Sequence, residues 1–130
     1  MPLGLTLPNP NKAKGDRFEA ALRDYVRVHG FPWAERTRAG YEKDHGDLHL
    51  VPGPAVVLQA KNCRTWRLAE WAAELAEQQE ASGAAHAALV VKRPRVGDPG
   101  RAYAVLELDA LLQLPRAAGY GEPMTREESA

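Results

Sequence analysis

The sequence predicts an α/β fold in which a mixed central β-sheet is flanked by helices. Apolar residues recur at helical spacing over residues 13–29 and again over residues 67–82. Between these segments, short apolar runs at residues 47–51 and 55–61 are separated by turn residues, which is typical of a β-hairpin. The predicted order of helix, three strands, helix and two strands is that of one small layered domain.

The first helix is indicated by apolar residues at i, i+3, i+4, i+7 and i+8, which are Phe18, Ala21, Leu22, Tyr25 and Val26. Gly30 and Pro32 end it. Residues 31–38 have the composition of a short strand, and residues 39–46 that of a polar loop. The sequence therefore places a strand and a loop between the first helix and the hairpin.

Pro-Gly-Pro at residues 52–54 supplies the turn chemistry of the hairpin. The second helical stripe comprises Leu68, Trp71, Ala72, Leu75 and Ala76, and it ends near Gly83. Trp66, just before this helix, is expected in the core. Residues 86–92 and 102–108 read as strands, and residues 109–114 as a short closing helix.

The chain of 130 residues is long enough for one hydrophobic core. We expect a flexible arm at residues 1–11, the folded domain at 12–119 and a disordered tail at 120–130. One cysteine, Cys63, excludes an intramolecular disulfide and a cysteine-built zinc site. The sequence has no apolar run of membrane-spanning length and no signal-peptide pattern at its start, so we expect a cytoplasmic protein.

Charge is distributed unevenly although the formal net charge is zero. Up to Arg67 the chain has 11 Lys and Arg against 7 Asp and Glu, a balance of +4, and from Leu68 onward it has 6 against 10, a balance of −4. This asymmetry indicates one basic and one acidic face. Two solvated surfaces without a partner are the alternative interpretation.

Polar residues interrupt the hairpin strands on one face. If the hairpin centres on Gly53, residues whose numbers sum to 106 lie opposite each other, so Asp47 faces Gln59, and Lys61 shares the face of Gln59. A carboxylate, an amide oxygen and a neighbouring backbone carbonyl are hard oxygen ligands suited to Mg²⁺ or Mn²⁺. Lys61 could orient an attacking water or offset charge on a phosphate. The alternative is a half-exposed hairpin with its polar residues outward and Lys61 guarding a sheet edge.

Gly46-Asp47, followed after twelve residues by Gln59-Ala60-Lys61, resembles the signature of the PD-(D/E)xK nuclease superfamily, with Gln in the acidic position. The upstream KGDRFEAAL is similar to the first helix of archaeal Holliday junction resolvases, which contains a site glutamate. Residues 44–100 also resemble small resolvase-type nucleases encoded by phages. The resemblance covers roughly residues 12–101 and implies a restriction-endonuclease-like core.

The resemblance implies that Asp47 is a metal ligand, that Lys61 is the catalytic lysine and that Ala60 lends its carbonyl to the metal. Gln59 removes one negative charge from the site, so metal affinity falls unless another acid compensates. Glu19, on the edge of the first helical stripe, is the first candidate for that acid, and a solvated helix glutamate is the alternative. Asp44, in the loop before the hairpin, is the second candidate, with plain solvation as its alternative.

Gln79 lies on the apolar face of the second helix, where a polar side chain needs a partner. The resemblance implies a contact with substrate or water, because members of the superfamily often place a helix glutamine or lysine near the site; an ordinary edge position is the alternative. Gln78 is less well placed on this spacing. Basic residues that flank the hairpin or follow the next strand are candidate phosphate contacts, each with a plain surface charge as its alternative. They are Arg36, Arg38, Lys43, Arg64, Arg67, Lys92 and Arg93.

The expected function is thus Mg²⁺-dependent hydrolysis of DNA phosphodiesters, with Mn²⁺ as a substitute metal. The resemblance makes branched DNA such as a four-way junction the expected substrate, and a homodimer the expected assembly, because symmetric cleavage needs two sites. Residues 69–81 could supply the dimer face or pack on their own sheet. A nuclease specific for flaps or forks, a catalytically inactive DNA-binding module and a structural protein without nucleic acid are the alternatives.

Overall fold

The computed structural model describes residues 10–36 and 47–124 as three helices and a five-stranded mixed sheet. Helix α1 spans Pro10–Val28, α2 spans Leu68–Ser82 and α3 spans Leu108–Ala117. The strands are β1 (Glu35–Arg36), β2 (Asp47–His49), β3 (Val56–Lys61), β4 (His86–Val91) and β5 (Tyr103–Val105). A short 3₁₀ turn, Pro99–Arg101, precedes β5. The α/β class with a mixed sheet flanked by helices is confirmed.

The strands lie side by side in chain order, from β1 to β5. β1, β2 and β3 form an antiparallel meander, β3 and β4 are parallel, and β5 is antiparallel to β4. α2 supplies the crossover between the two parallel strands, as a parallel connection requires. β3 is therefore a central strand, with β2 on one side and β4 on the other.

The hairpin register predicted from the turn at Gly53 is confirmed. Asp47 pairs with Gln59, Leu48 with Leu58 and His49 with Val57. Gly53 has a φ of 88°, the left-handed region that glycine enters without a steric penalty, so the turn chemistry explains the register.

Each face of the sheet packs on one helix. On one face, Phe18 and Leu22 of α1 pack with Leu48 and Ala60. On the opposite face, Trp71 and Leu75 of α2 pack with Val57, Leu89 and Val91. Alternation along β3 separates the two clusters, because successive side chains point to opposite faces.

Element bounds differ from the sequence predictions mainly at the ends. α1 begins at Pro10, so Pro10 and Asn11, which we expected in the N-terminal arm, are helical. The predicted strand over residues 102–108 is shorter, because its last residue, Leu108, already begins α3. α2 ends at Ser82, and Gly83 caps it near the predicted position, with a φ of 72° and an N–H donated to the carbonyl of Gln79.

Candidate active site

Asp47 and Gln59 form a buried polar pair on the α2 face of the sheet, and each is only 3% exposed. The Leu50 N–H donates to the Val56 carbonyl at 3.2 Å, which marks Leu50 and Val56 as a hydrogen-bonded pair. Because pair types alternate along an antiparallel ladder, Asp47 and Gln59 form a non-hydrogen-bonded pair, the type whose side chains lie closest. The hairpin alone thus brings a carboxylate and an amide together.

This burial overturns the plain alternative for the hairpin. Outward-facing polar residues would be solvated, but Asp47 and Gln59 are among the least exposed side chains of the described residues. Lys61 does not guard a sheet edge either, since β3 is flanked by β2 and β4. Burying polar groups costs free energy unless they are hydrogen-bonded, so the pair requires a partner.

Gln78 of α2 is that partner. Gln59 Nε2 donates to Gln78 Oε1 at 2.7 Å, and Gln78 Nε2 donates in turn to Asp47 Oδ2. A carboxylate accepts only, so it fixes the orientation of the Gln78 amide, and that amide fixes the orientation of Gln59. Gln59 Oε1 is thereby left buried, with no hydrogen bond to any residue within 10–36 or 47–124.

Sequence reasoning ranked Gln78 behind Gln79. The structure instead directs Gln79 to the end of its own helix, where Nε2 donates to the Ala84 carbonyl at 3.1 Å. A spacing signal for Gln78 was available, because Trp71, Leu75 and Gln78 follow i, i+4, i+7 and share the stripe that faces the sheet. The proposed contact of Gln79 with substrate stays a prediction.

Lys61 lies two residues beyond Gln59 and therefore on the same face of β3. Its side chain is 15% exposed, with Nζ 3.6 Å from Glu74 Oε2 and 5.5 Å from the centroid of the Trp71 ring. The first contact is an ion pair and the second a cation–π contact, and both partners belong to α2. α2 thus holds Lys61 beside the buried pair.

Glu19 lies on the other side of the sheet. α1 packs against the face of Leu48 and Ala60, and the Glu19 side chain, 12% exposed, accepts from Arg36 Nη2 at 3.3 Å. The structure thus joins Glu19 to β1 through Arg36 rather than to the Asp47–Gln59 pair. Its role as a compensating acid stays a prediction.

Arg36 also contacts Asp16, with Nη2 at 3.2 Å from Oδ1. The pKa of Asp16 lies below its usual value of 3.8, chiefly because Lys12 donates a hydrogen bond to it, with the charges of Lys12 and Arg36 adding to the effect. Arg36 is therefore held by two carboxylates on the α1 face. Asp44, the second candidate acid, lies outside the described residues, as do Arg38 and Lys43.

The oxygen donors at this pair that could hold a metal are few but chemically suitable. The Asp47 carboxylate and the buried Gln59 Oε1 are hard oxygen donors of the kind that Mg²⁺ prefers. The alternation of the ladder directs the Ala60 carbonyl toward β2, away from β4, at the point where the described part of β2 begins. In the part of the chain that the structure describes, no group of three or more His, Cys, Asp or Glu could hold a metal ion.

Four of the seven predicted DNA contacts follow the last residues of the parallel strands β3 and β4. They therefore lie at the end of the sheet where Lys61 ends β3, and they are Arg64, Arg67, Lys92 and Arg93. Arg67 Nη1 lies 3.6 Å from Glu70 Oε2, and Arg93 lies 5.0 Å from the centroid of the Tyr103 ring. The expectation that Trp66 belongs to the core is wrong. Its side chain lies at the same end of the sheet, is 37% exposed and packs edge-on against the ring of Tyr103, with the ring centroids 6.0 Å apart.

Comparison of the chain with models of protein families, with curated proteins and with solved structures finds no match. Across residues 10–36 and 47–124, no helix combines the length and apolar character needed to cross a bilayer.

Proposed function

We propose that this protein is a Mg²⁺-dependent DNA endonuclease that hydrolyses phosphodiester bonds in branched DNA, most specifically in a Holliday junction. The observation that carries the proposal is the buried pairing of Asp47 with Gln59, with Lys61 on the same face of β3. The restriction-endonuclease-like core is part of this proposal. The order of α1, the hairpin, α2 and β4 supports it.

Asp47, Gln59 and the carbonyl of Ala60 would hold the metal, and Mn²⁺ would substitute for Mg²⁺. A bound divalent ion would activate a water and polarise the phosphoryl group. Only one of the three donors is charged, so we expect weaker binding than at a site with two carboxylates. The buried Gln59 Oε1 is the feature of the site that favours this assignment, because a cation would satisfy it.

Gln78 would have to change partners when a metal binds. Its amide donates to Asp47 Oδ2, so this carboxylate oxygen becomes a ligand only if Gln78 gives up that hydrogen bond. Released from Asp47, Gln78 could hydrogen-bond a water at the site. We therefore expect metal binding to depend on the identity of residue 78.

Lys61 would act on the reacting groups. Its ammonium group can hydrogen-bond the attacking water and offset negative charge that develops on the phosphate. The contacts with Glu74 and Trp71 limit the orientations of the side chain before substrate binds. Preorganisation of this kind reduces the reorganisation that the reaction requires.

The basic residues at the same end of the sheet would hold the DNA backbone. Arg64, Arg67, Lys92 and Arg93 surround the end of β3, where a phosphate would meet Lys61. Such contacts give affinity without sequence readout. In a homodimer, each of the two sites would cut one of two symmetry-related strands of the junction. The proposal includes a cytoplasmic setting, and the resemblance to phage-encoded nucleases would make it the cytoplasm of a host cell.

Two alternatives remain open. A nuclease of the same fold that cuts flaps or forks would use the same residues. A catalytically inactive DNA-binding module is favoured by a specific observation, the Gln78 amide hydrogen-bonded to both members of the pair that would bind metal. In that case the three polar side chains only stabilise the sheet–helix contact.

Cleavage of labelled four-way junctions, duplexes, forks and flaps in Mg²⁺, Mn²⁺ or EDTA tests the proposal. Wild type is compared with Lys61→Ala and Asp47→Ala. The matched controls are Lys12→Ala and Asp24→Ala, whose side chains are 72% and 67% exposed on α1. We expect paired cuts in the junction that EDTA and both site variants abolish and both controls retain.

Other results have distinct meanings. Metal-dependent cutting of forks or flaps alone would keep the nuclease and discard the junction. No cutting of any substrate, with salt-sensitive DNA binding that Asp47→Ala leaves unchanged, would favour the binding module. Absence of any salt-sensitive DNA affinity would discard nucleic acid as the ligand.

A further inference from the structure

Helix α3 is the least buried element of the described fold. None of its ten residues is buried, although four of them are leucines. Leu108 is 68% exposed, Leu111 48%, Leu112 45% and Leu114 40%. A helix of this length is marginal in water and normally gains its stability from a packed apolar face. The exposed leucines of α3 therefore indicate a surface that is covered in use.

The apolar residues of α3 lie along one stripe. Leu108, Leu111, Leu112 and Pro115 follow i, i+3, i+4, i+7, which places them on one side of the helix. Asp109 and Arg116, seven residues apart, both lie on one flank of this stripe. Within residues 10–36 and 47–124, neither of these two charges forms an ion pair.

We infer that α3 is the homodimer interface, and that it packs antiparallel against α3 of a second copy of this chain. A two-fold axis near residues 112–113 would place the leucine stripes against each other. It would also bring Asp109 of each copy beside Arg116 of the other, since residues on one flank of an antiparallel helix pair face each other. The leucine stripe and the opposite charges at its two ends are thus complementary to themselves.

The other helix considered for this role is already occupied. The apolar stripe of α2 contributes Trp71 and Leu75 to its own sheet, where they are 6% and 7% exposed. Of the two possibilities for residues 69–81, packing on their own sheet is the one that the structure shows. An α2–α2 contact would have to use its outer face, which carries the exposed acids Glu70, Glu77 and Glu80.

The inference names the partner surface of the homodimer that the proposed function requires, but it rests on the exposure and charge pattern of α3. Its test measures molecular mass, so the two proposals fail separately. A dimer that cuts no DNA would leave the interface standing, and a monomer that cuts DNA would leave the nuclease standing.

Sedimentation of the full chain at micromolar concentrations tests the interface. We expect a dimer in the wild type and dissociation that is at least about 100-fold easier in Leu112→Glu, because the variant would bury an unpaired charge at the centre of the contact. The control is Leu68→Glu, a leucine 38% exposed at the start of α2, which should remain dimeric. Circular dichroism checks that both variants stay folded, as expected for positions that are not buried.

Charge reversal tests the antiparallel geometry. Asp109→Arg and Arg116→Asp should each weaken the dimer by about three- to tenfold, and the double variant should restore it. A wild type that remains a monomer, whose α3 is then covered by another part of the chain or by another partner, would overturn the inference. A dimer that Leu112→Glu leaves intact, or a double reversal that adds the two losses instead of restoring affinity, would also overturn it.

Discussion

Asp47 and Gln59 face each other in a non-hydrogen-bonded pair of β2 and β3, and both are 3% exposed. In this pair type the two Cβ atoms are about 4.5–5.5 Å apart, so the two side chains share one environment. Of the two side chains, only that of Asp47 can carry a negative charge. The charge of the site therefore depends on residue 59, and a substitution at this position is the first test.

Gln59→Glu should destabilise the apo protein at neutral pH. A second carboxyl buried beside Asp47 resists ionisation, so its pKa in the folded protein exceeds the unfolded value of about 4.3. The folded state then binds more protons than the unfolded state, and stability decreases as pH rises from that unfolded value through the folded pKa. Thermal unfolding in EDTA at several pH values should show this decrease in the variant and not in the wild type.

The same variant should respond more strongly to metal. Mg²⁺ stabilises the protein that binds it, and a second carboxylate raises affinity, so the rise in melting temperature on replacing EDTA with Mg²⁺ should be larger in Gln59→Glu than in the wild type. Equal shifts in both proteins would mean that residue 59 does not reach the metal. Cleavage rates of the two proteins provide a second comparison.

Gln78→Ala should lower the free energy of unfolding by about 1–3 kcal/mol, because it removes the donor to the buried Asp47 Oδ2 and the acceptor of Gln59 Nε2. The control is Glu77→Ala, an exposed neighbour on α2, which should change stability by less than about 0.5 kcal/mol. Urea unfolding of both variants in EDTA measures the difference. If the two substitutions cost the same, the hydrogen bonds through Gln78 contribute nothing in solution.

The sequence determined the geometry of the hairpin because register there depends on local rules. A Pro-Gly-Pro turn with a left-handed Gly53 and strict side-chain alternation are sufficient to place Asp47 opposite Gln59. The partner of Glu19 could not be found in this way. Arg36 reaches it from β1, seventeen residues away along the chain, and only the packing of α1 on the sheet brings the two together.

Helix positions were harder to rank than strand positions. Gln78 and Gln79 differ by 100° around α2, and a stripe read from Leu68 and Leu75 favours Gln79, whereas one read from Trp71 and Leu75 favours Gln78. The choice depends on where the sheet lies. The core prediction for Trp66 is wrong for a related reason, because this tryptophan packs on Tyr103 at the end of the sheet and still remains 37% exposed.

The ion pairs of Asp16 predict a small dependence of stability on pH. Its pKa is lowered in the folded protein, so its contribution is present above the unfolded value of 3.8 and is lost as pH falls through the folded pKa. The side chain is 44% exposed, so Asp16→Asn should cost less than about 0.5 kcal/mol at pH 6. The difference between the urea midpoints of the wild type and of Asp16→Asn should be smaller at pH 3 than at pH 6. A difference of the same size at both pH values would show that the contribution of Asp16 to stability does not come from its ion pairs.

The contact between the 3₁₀ turn and α1 provides the last prediction. A Cβ at Gly100 would lie 2.4 Å from Tyr25 Oη and 2.6 Å from Cζ, whereas one at Gly97 would meet no atom within 4 Å. Gly100→Ala should therefore destabilise the protein by about 1 kcal/mol, because the Tyr25 ring must shift from its stacked position 3.9 Å from His29. Gly97→Ala should be neutral or slightly stabilising, since it restricts the unfolded chain. In a Tyr25→Leu background, Gly100→Ala should lower the free energy of unfolding by less than it does in the wild type. An equal loss in both backgrounds would show that the contact with Tyr25 does not cause the destabilisation.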